Sequence, residues 1–176
     1  VEKLFAEEQQ AYAAASDAWK ATADRYQNVE GMLEGSFEAN QVRWLRGRAL
    51  VRAGEVFNGI EELDATLAAA VEQAADNSPG NKQAKQAASQ LVLAAREELA
   101  AAHYYGARLL REEGRSPGVW KQVSETSRQQ FRFLAEQTAE AGEADVSRNL
   151  QRNLERVLDL EQQDRSELVG RPIPKD

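Results

Sequence analysis

Few side chains in this 176-residue chain could carry out chemistry. Cysteine is absent, and histidine occurs once, as His103. These counts exclude disulfides, cysteine-ligated zinc, iron–sulfur clusters, thiol catalysis and any metal site built from several histidines. A single imidazole is therefore the one histidine candidate for acid–base chemistry.

A catalytic histidine needs a carboxylate to orient it and a nucleophile or substrate close by. The nearest preceding carboxylates are Glu97 and Glu98, six and five residues before His103, and Glu98 lies off its helical face. No Gly-x-Ser-x-Gly motif is present. We interpret His103 as a packing residue within a helix, and we predict no enzymatic activity, no catalytic residue and no cofactor.

The carboxylates do not form a recognisable metal site either. Di-iron bundles use Glu-x-x-His pairs, and none occurs in the sequence. The run from Asp76 to Asn81 offers oxygen ligands but lacks the spacing and the closing glutamate of a calcium loop. Adjacent glutamates such as Glu61 and Glu62 stand near helical arginines and fit solvated helix faces. We predict no metal ligand.

Charge and hydropathy narrow the class of partner. The net charge is -7 and the isoelectric point is near 5.0, so we expect no nucleic-acid partner and no binding to an anionic membrane. No apolar run reaches the roughly 18 residues that a membrane span needs. The alanine and arginine bias favours a bacterial source. The sequence is compatible with a cytoplasmic or a periplasmic location, and with a signal or anchor upstream of Val1. It does not predict the oligomeric state.

The elements that must position these side chains are all helical, because apolar residues recur at spacings of three and four and no segment alternates with period two. About six helices are expected. Ser36 and Ser116 resemble N-caps, and Gly54 and Gly114 resemble C-terminal stops. The predicted helices are residues 2–28, 36–53, a third with apolar face Phe57, Ile60, Leu63, Leu67 and Val71, then 82–113, 117–142 and 144–164.

The fourth helix is predicted to be long and central, since its apolar residues lie on more than one side. We expect Leu91, Ala95, Leu99 and Ala102 to be buried. The predicted domain organisation is a single helical domain over residues 1–164 and a proline-containing tail over residues 165–176.

Two segments match when the chain is shifted by 60 residues. The shift places Trp44 on Tyr104, Arg48 on Arg108 and Gly54 on Gly114. Each segment reads as a helix, a glycine turn and a second helix. Either a duplication or two unrelated helical hairpins would give this pattern.

The first of these hairpins resembles a tetratricopeptide repeat. Small residues at Gly47 and Gly59, Ala49-Leu50 on the core side, and a turn centred on Gly54 fall at the spacing of that family. Ala141-Gly142-Glu143 is a similar turn signal, whereas the expected proline is displaced to Pro79 and the fourth helix is too long. The resemblance implies an all-α fold of antiparallel helical hairpins in which Gly47 and Gly59 lie where two helices touch.

In that family the first helix of each repeat lines a groove that receives a partner segment. The resemblance places the groove residues at Gln41, Trp44, Arg48, Arg52, Tyr104, Arg108 and Arg111. Arginines suit carboxylates and aromatic rings anchor apolar side chains. The sequence thus predicts a non-enzymatic adaptor or scaffold that binds a protein or peptide, with an acidic segment as the fitting ligand. One alternative is that Trp44 and Tyr104 are core residues and the arginines are surface charges. Another is that the chain is a helical bundle that senses a small ligand or a signal.

Overall fold

The computed structural model describes residues 2–76 and 82–164, with the side chains described from residue 6 onward. These ranges contain six α-helices and no strand, which confirms the predicted fold class. The predicted tail and most of the predicted loop lie outside the described residues. The helices are α1 (Glu2–Met32), α2 (Phe37–Arg52), α3 (Val56–Ala75), α4 (Lys82–Glu112), α5 (Pro117–Glu140) and α6 (Ala144–Gln162).

Helix lengths depart from the prediction at the start of the chain. α1 and α4 are both 31 residues long, so the fourth helix is not the single long element. α1 continues past residue 28, where the prediction ended it, and through Gly31, because one glycine in a helix costs only about 1 kcal/mol. Leu91, Ala95, Leu99 and Ala102 of α4 are all buried, as predicted.

The chain divides into two compact units, residues 1–95 and 96–176, with the boundary inside α4. We refer to them as the first and the second unit. The prediction of a single domain over residues 1–164 is not tested by this division.

In the first unit, α2 and α3 cross at two glycines. A Cβ atom added to Gly47 would lie 2.7 Å from Leu63 Cγ, and one added to Gly59 would lie 2.8 Å from the Gly47 carbonyl oxygen. The helices therefore touch backbone to backbone, as the sequence predicted, and a side chain at either position would separate them. α1 packs on α2 through Ala23, which lies against Ala49 and Leu50.

The buried face of α3 differs from the predicted one. Only Leu63 is common to both sets, because the glycine contact rotates the helix so that small residues face α2. Phe57 and Val71, predicted to face the core, are 45% and 44% exposed. The residues of α3 that are buried are Val56, Gly59, Leu63, Thr66 and Ala70.

In the second unit, the later part of α4 packs against α5 and α6. Phe131, Leu134 and Leu150 form the centre of its core with Ala100 and Val157. Ser127 Oγ donates a hydrogen bond to the Ala100 carbonyl at 2.7 Å, and Ser147 Oγ donates one to the Ala135 carbonyl at 2.9 Å. Small hydroxyl side chains thus satisfy their own buried polar groups where these helices meet.

Three helix–helix turns have the same capping bonds. Gly54, Gly114 and Gly142 have positive φ angles of 88°, 77° and 80°. After each, the amide of the next residue donates to the carbonyl five residues earlier, Glu55 to Leu50, Arg115 to Leu110 and Glu143 to Thr138, all at 2.9 Å. This is the Schellman arrangement, in which glycine accepts the left-handed conformation at low cost. After Gly54 and Gly142 the next helix begins two residues later, at Val56 and at Ala144.

The turn at Gly114 is longer and leads through Ser116 to Pro117 at the start of α5. A shift of 88 residues, which places Gly54 on Gly142, therefore relates turns of equal length, whereas the 60-residue shift relates turns with the same capping bonds that differ in length by one residue. It also places the crossing pair Gly47 and Gly59 on Ala135 and Ser147, which the hydrogen bond between the last two brings into contact.

Candidate arginine–tryptophan site on the second helix

The candidate residues of α2 form one row along its surface. Gln41, Trp44, Arg48 and Arg52 follow one another at spacings of three and four residues, which places them on one face of the helix. Gln41 and Arg52 are exposed, whereas Trp44 and Arg48 are half-buried. We call these four residues the α2 row.

Each arginine of the α2 row lies over a tryptophan ring. The guanidinium carbon of Arg48 is 4.6 Å from the centre of the Trp44 ring, one turn away on the same helix. That of Arg52 is 5.3 Å from the centre of the Trp19 ring on α1. Both distances are within the range of cation–π attraction between a guanidinium and an aromatic ring.

Trp19 was missed as a site residue by the sequence analysis. It is 38% exposed and contributes the ring that carries Arg52. No local spacing could have paired it with Arg52, because the two residues lie on different helices.

Trp44 forms the buried part of the α2 row. Its indole nitrogen is buried and has no hydrogen-bond acceptor among the described residues. An indole N–H buried in this way is energetically unfavourable. The Trp44 ring thus lies half-buried beneath the Arg48 guanidinium. This position fits the predicted floor of a groove, and it also fits the alternative that Trp44 is a core residue.

The predicted residues of the second unit have intramolecular partners. Arg108 is only 4% exposed, and its Nε donates to Glu112 Oε1 at 2.7 Å, one turn along α4. A charge-reversing substitution of Arg108 would place a carboxylate in a buried position, so it would test stability as much as binding.

Arg111 joins the end of α4 to the end of α6. Its two terminal nitrogens donate hydrogen bonds to the carbonyl oxygens of Leu160 and Gln163. Its guanidinium carbon is 4.7 Å from the ring centre of Trp120, which itself is buried. A cation near the last carbonyls of a helix also interacts favourably with the helix dipole. Arg111 thus stabilises the C-terminal end of α6.

Tyr104 lies half-buried within the core of the second unit. Burial raises the pKa of its phenol above the ordinary value, and the nearby charges of Arg108 and Arg156 oppose that rise. Its ring meets the Tyr105 ring edge to face at a centre distance of 5.4 Å. The arrangement of Tyr104 is that of a packed residue with one polar end.

The seven predicted groove residues divide into the α2 row in the first unit and Tyr104, Arg108 and Arg111 in the second. That both sets line one groove stays a prediction. The arginines of the α2 row lie over tryptophan rings, and Arg108 and Arg111 donate hydrogen bonds within the second unit.

His103 makes a bond within its helix. Its Nδ1 is 2.8 Å from the Leu99 carbonyl oxygen, so that nitrogen carries the proton and donates it. Among the described residues, no group of three acidic, histidine or cysteine side chains could hold a metal ion. The absence of enzymatic activity stays a prediction.

Acidic and basic side chains connect α1, α2 and α3 on another part of the first unit. Arg43 donates to Glu30 Oε1 at 2.7 Å through Nε, and Arg46 lies 3.1 Å from Glu62 Oε1 and 3.6 Å from Glu30 Oε2. These four side chains are each one third exposed or less. A network of this kind holds three helices in register and leaves none of its members for a partner.

A second ion pair fixes α1 to the turn before α3. Lys20 Nζ lies 2.7 Å from Glu55 Oε1. The hydrogen bond from Lys20, with a further one from Asn58, lowers the pKa of the Glu55 carboxyl, and the same contact raises the pKa of Lys20.

We expect Glu55 to titrate below the ordinary range of a glutamate in a carboxyl-detected NMR titration. In the variant Lys20→Gln its pKa should rise toward the ordinary value without reaching it, because Asn58 still donates. The lowered pKa means that the pair stabilises the fold above the ordinary glutamate range and that this contribution disappears as the pH falls through the pKa of Glu55. An unchanged pKa in Lys20→Gln would contradict the contact.

No described helix combines the length and the apolar character that crossing a membrane requires. A search of family models, of curated proteins and of solved structures gives no match to this chain.

Proposed function

We propose that this chain is a non-enzymatic protein-interaction module, an adaptor or scaffold, that binds an acidic segment of a partner protein along the α2 row. The observation that carries the proposal is the pair of arginines one helical turn apart, each lying over a tryptophan ring. The resemblance of the α2–α3 hairpin to a tetratricopeptide repeat belongs to the same proposal, and the close contact at Gly47 and Gly59 supports it.

Stacking prepares a guanidinium for an anion. A ring beneath the guanidinium restricts its rotation and leaves its N–H edges directed sideways, where a carboxylate can accept two parallel hydrogen bonds. Arg48 and Arg52 are four residues apart on α2, so their Cα atoms are about 6 Å apart along the helix axis. Two carboxylates at that separation could be bound together, while the exposed part of Trp19 would contact an apolar side chain of the same segment.

The charge of the chain makes this surface selective. A pair of arginines within a molecule of net charge -7 is a local positive region in a negative surrounding. Such a region attracts acidic segments and does little for nucleic acid, whose phosphates are repelled by the rest of the molecule. Binding should weaken as salt is added, because exposed charges are screened over about 10 Å at 0.1 M salt.

A wider version of the proposal extends the binding groove to the predicted residues of the second unit. If Tyr104, Arg108 and Arg111 contribute to the same groove, the two arginines must first leave Glu112 and the carbonyls of α6. Their present contacts favour a positioning role in the second unit, and the α2 row is therefore the centre of the proposed site.

The test is an NMR titration of the whole chain with a synthetic acidic peptide that carries four glutamates and two leucines. We expect saturable shifts at the amides of α2 and at the indole N–H groups of Trp19 and Trp44. The same peptide with glutamine in place of glutamate should not bind. Arg52→Glu should weaken binding by at least about tenfold, equivalent to 1.4 kcal/mol.

The matched control is Arg132→Glu, an exposed arginine of α5 whose ion pair with Glu136 is also at the surface. It changes the net charge equally and should leave the peptide affinity within about twofold, since exposed pairs contribute little. Equal loss of affinity in the two variants, or saturable shifts confined to the second unit, would contradict the proposed site. Absence of any saturable shift would contradict binding of acidic segments.

A further inference from the structure

The α5 helix carries an exposed row of the kind that the proposed function requires of a partner. Phe133, Glu136 and Glu140 follow one another at spacings of three and four residues, which places them on one face of α5. Phe133 is 47% exposed, and both glutamates are exposed as well. We call these three residues the α5 row. It presents an aromatic ring and two carboxylates one helical turn apart.

The two carboxylates of the α5 row do not serve the stability of α5 itself. Glutamates four residues apart on a helix repel each other. Glu140 also lies in the last turn, where the helix dipole disfavours an anion, and that turn contains no basic residue. Glu136 is paired with Arg132 at 3.0 Å, but both side chains are largely exposed, so the pair contributes little. A cation from outside α5 would relieve both unfavourable interactions.

The α2 row matches the α5 row in spacing and in charge. Arg48 and Arg52 are four residues apart, as are Glu136 and Glu140, so each pair spans about 6 Å along its helix. Trp19 carries the Arg52 guanidinium and is 38% exposed. Each surface thus combines an exposed aromatic ring with two like charges, and the sign of the charge differs between the two surfaces.

The aromatic rings define the direction in which the two rows can meet. Trp19 lies at the Arg52 end of the α2 row, and Phe133 lies at the Glu136 end of the α5 row. Contact between the two rings, which attract each other at close range, therefore requires antiparallel helices with Glu136 opposite Arg52. The next glutamate and the next arginine then face each other one turn along.

We propose that the acidic segment bound by the α2 row is the α5 row of a second copy of this chain. The inference rests on the proposed function of the α2 row and names its partner. Because the two rows are different surfaces, each copy carries both, and the association is head to tail. The contact is small and its charges are exposed, so we expect a dissociation constant of about 0.1–1 mM.

The test mixes two variants, each of which has lost one row. Arg52→Glu disables the α2 row and keeps the α5 row, whereas Glu140→Arg does the reverse. NMR spectra are recorded at 0.15 M salt, where repulsion between two copies of net charge -7 is screened over about 8 Å. In the unchanged chain we expect the amides of α2 and of the second half of α5 to shift as the concentration rises. Each variant alone should associate at least about tenfold more weakly.

Mixing the two variants should restore the contact, because one supplies each intact row. When Arg52→Glu is the labelled chain, added Glu140→Arg should shift the α5 amides. With the labels exchanged, the α2 amides and the Trp19 indole N–H should shift. Absence of shifts in both mixtures would overturn the proposal, as would spectra of the unchanged chain that do not depend on concentration.

The matched control is Glu72→Arg, at an exposed glutamate near the end of α3. It changes the net charge and the charge at a helix end in the same way as Glu140→Arg. The control should keep the self-association within about twofold. Equal loss in the two variants would contradict the assigned contact. If circular dichroism shows Arg52→Glu to be unfolded, Arg52→Gln takes its place in the mixtures.

Failure of this inference can be distinguished from failure of the proposed function, since the mixtures contain no peptide. If the acidic peptide binds the α2 row and the chain does not associate with itself, the proposed function stands and this inference is wrong. If the mixtures show the shifts and the peptide does not bind, the α2 row recognises the folded α5 row alone. That result would support this inference and contradict the adaptor function.

Discussion

Replacing Gly47 with leucine is expected to lower the free energy of unfolding by about 1–3 kcal/mol. A Cβ at this position would lie 2.7 Å from Leu63 Cγ and 3.2 Å from the Gly59 carbonyl oxygen, and the rest of a leucine side chain would extend farther into the same contact. Leu63 is fully buried and cannot move into solvent without exposing apolar surface. Equilibrium unfolding in urea, followed by circular dichroism, measures the loss.

The matched control is Gly31→Ala in α1, where an added Cβ has no neighbour within 4 Å. Alanine in a helix is favoured over glycine, so this variant should be more stable by about 0.5–1 kcal/mol. If Gly47→Leu lowers the free energy of unfolding and Gly31→Ala raises it, the helix contact, and not helix propensity, determines the effect of a side chain at Gly47. Unchanged stability of Gly47→Leu would remove the main support for the tetratricopeptide resemblance.

Replacing Arg111 with methionine should lower the free energy of unfolding by about 1.5–3 kcal/mol, the range for hydrogen bonds made by a charged group. Methionine keeps most of the length of the side chain but donates no bond to the Leu160 and Gln163 carbonyls, and it carries no charge over the Trp120 ring. The end of α6 should then open locally. Amide hydrogen exchange should rise first in the last turn of α6, and urea unfolding gives the overall loss.

Arg115→Met is the control for Arg111. Arg115 is an exposed neighbour that forms an ion pair with Glu113, at 3.5 Å on the surface. Its loss should change neither stability nor exchange in α6 measurably, because exposed ion pairs contribute little. If Arg115→Met and Arg111→Met behave alike, the carbonyl contacts of Arg111 do not stabilise α6.

The helices could be predicted from sequence because their ends depend on local chemistry. Ser36 begins α2 by accepting a hydrogen bond from the Ala39 amide at 3.2 Å, and Gly54 ends the helix with a positive φ. Both signals lie within a few residues of the bonds they form. The contact at Gly47 and Gly59 was expected from the resemblance of this hairpin to a tetratricopeptide repeat, and not from helix periodicity.

The face of α3 was not predictable in the same way. Hydrophobic periodicity favoured Phe57 and Val71 as core residues, but packing against glycine selects the face with the smallest side chains. Arg111 shows a second limit, because its partners Leu160 and Gln163 are about fifty positions later in the chain. The repeated spacing of arginine and aromatic residues was enough to select the candidate groove residues. The partner of each arginine depends on tertiary contacts, which no local sequence pattern contains.

The two glycine turns also affect how the protein folds. Only a few residues separate α2 from α3 and α5 from α6, so each hairpin closes between segments that are neighbours in sequence. Contacts of this local kind lose little chain entropy before they form, and proteins rich in them fold fast. During synthesis the α2–α3 hairpin can assemble before α5 has left the ribosome, which shortens the time in which apolar surface such as the Leu63 side chain is open to aggregation.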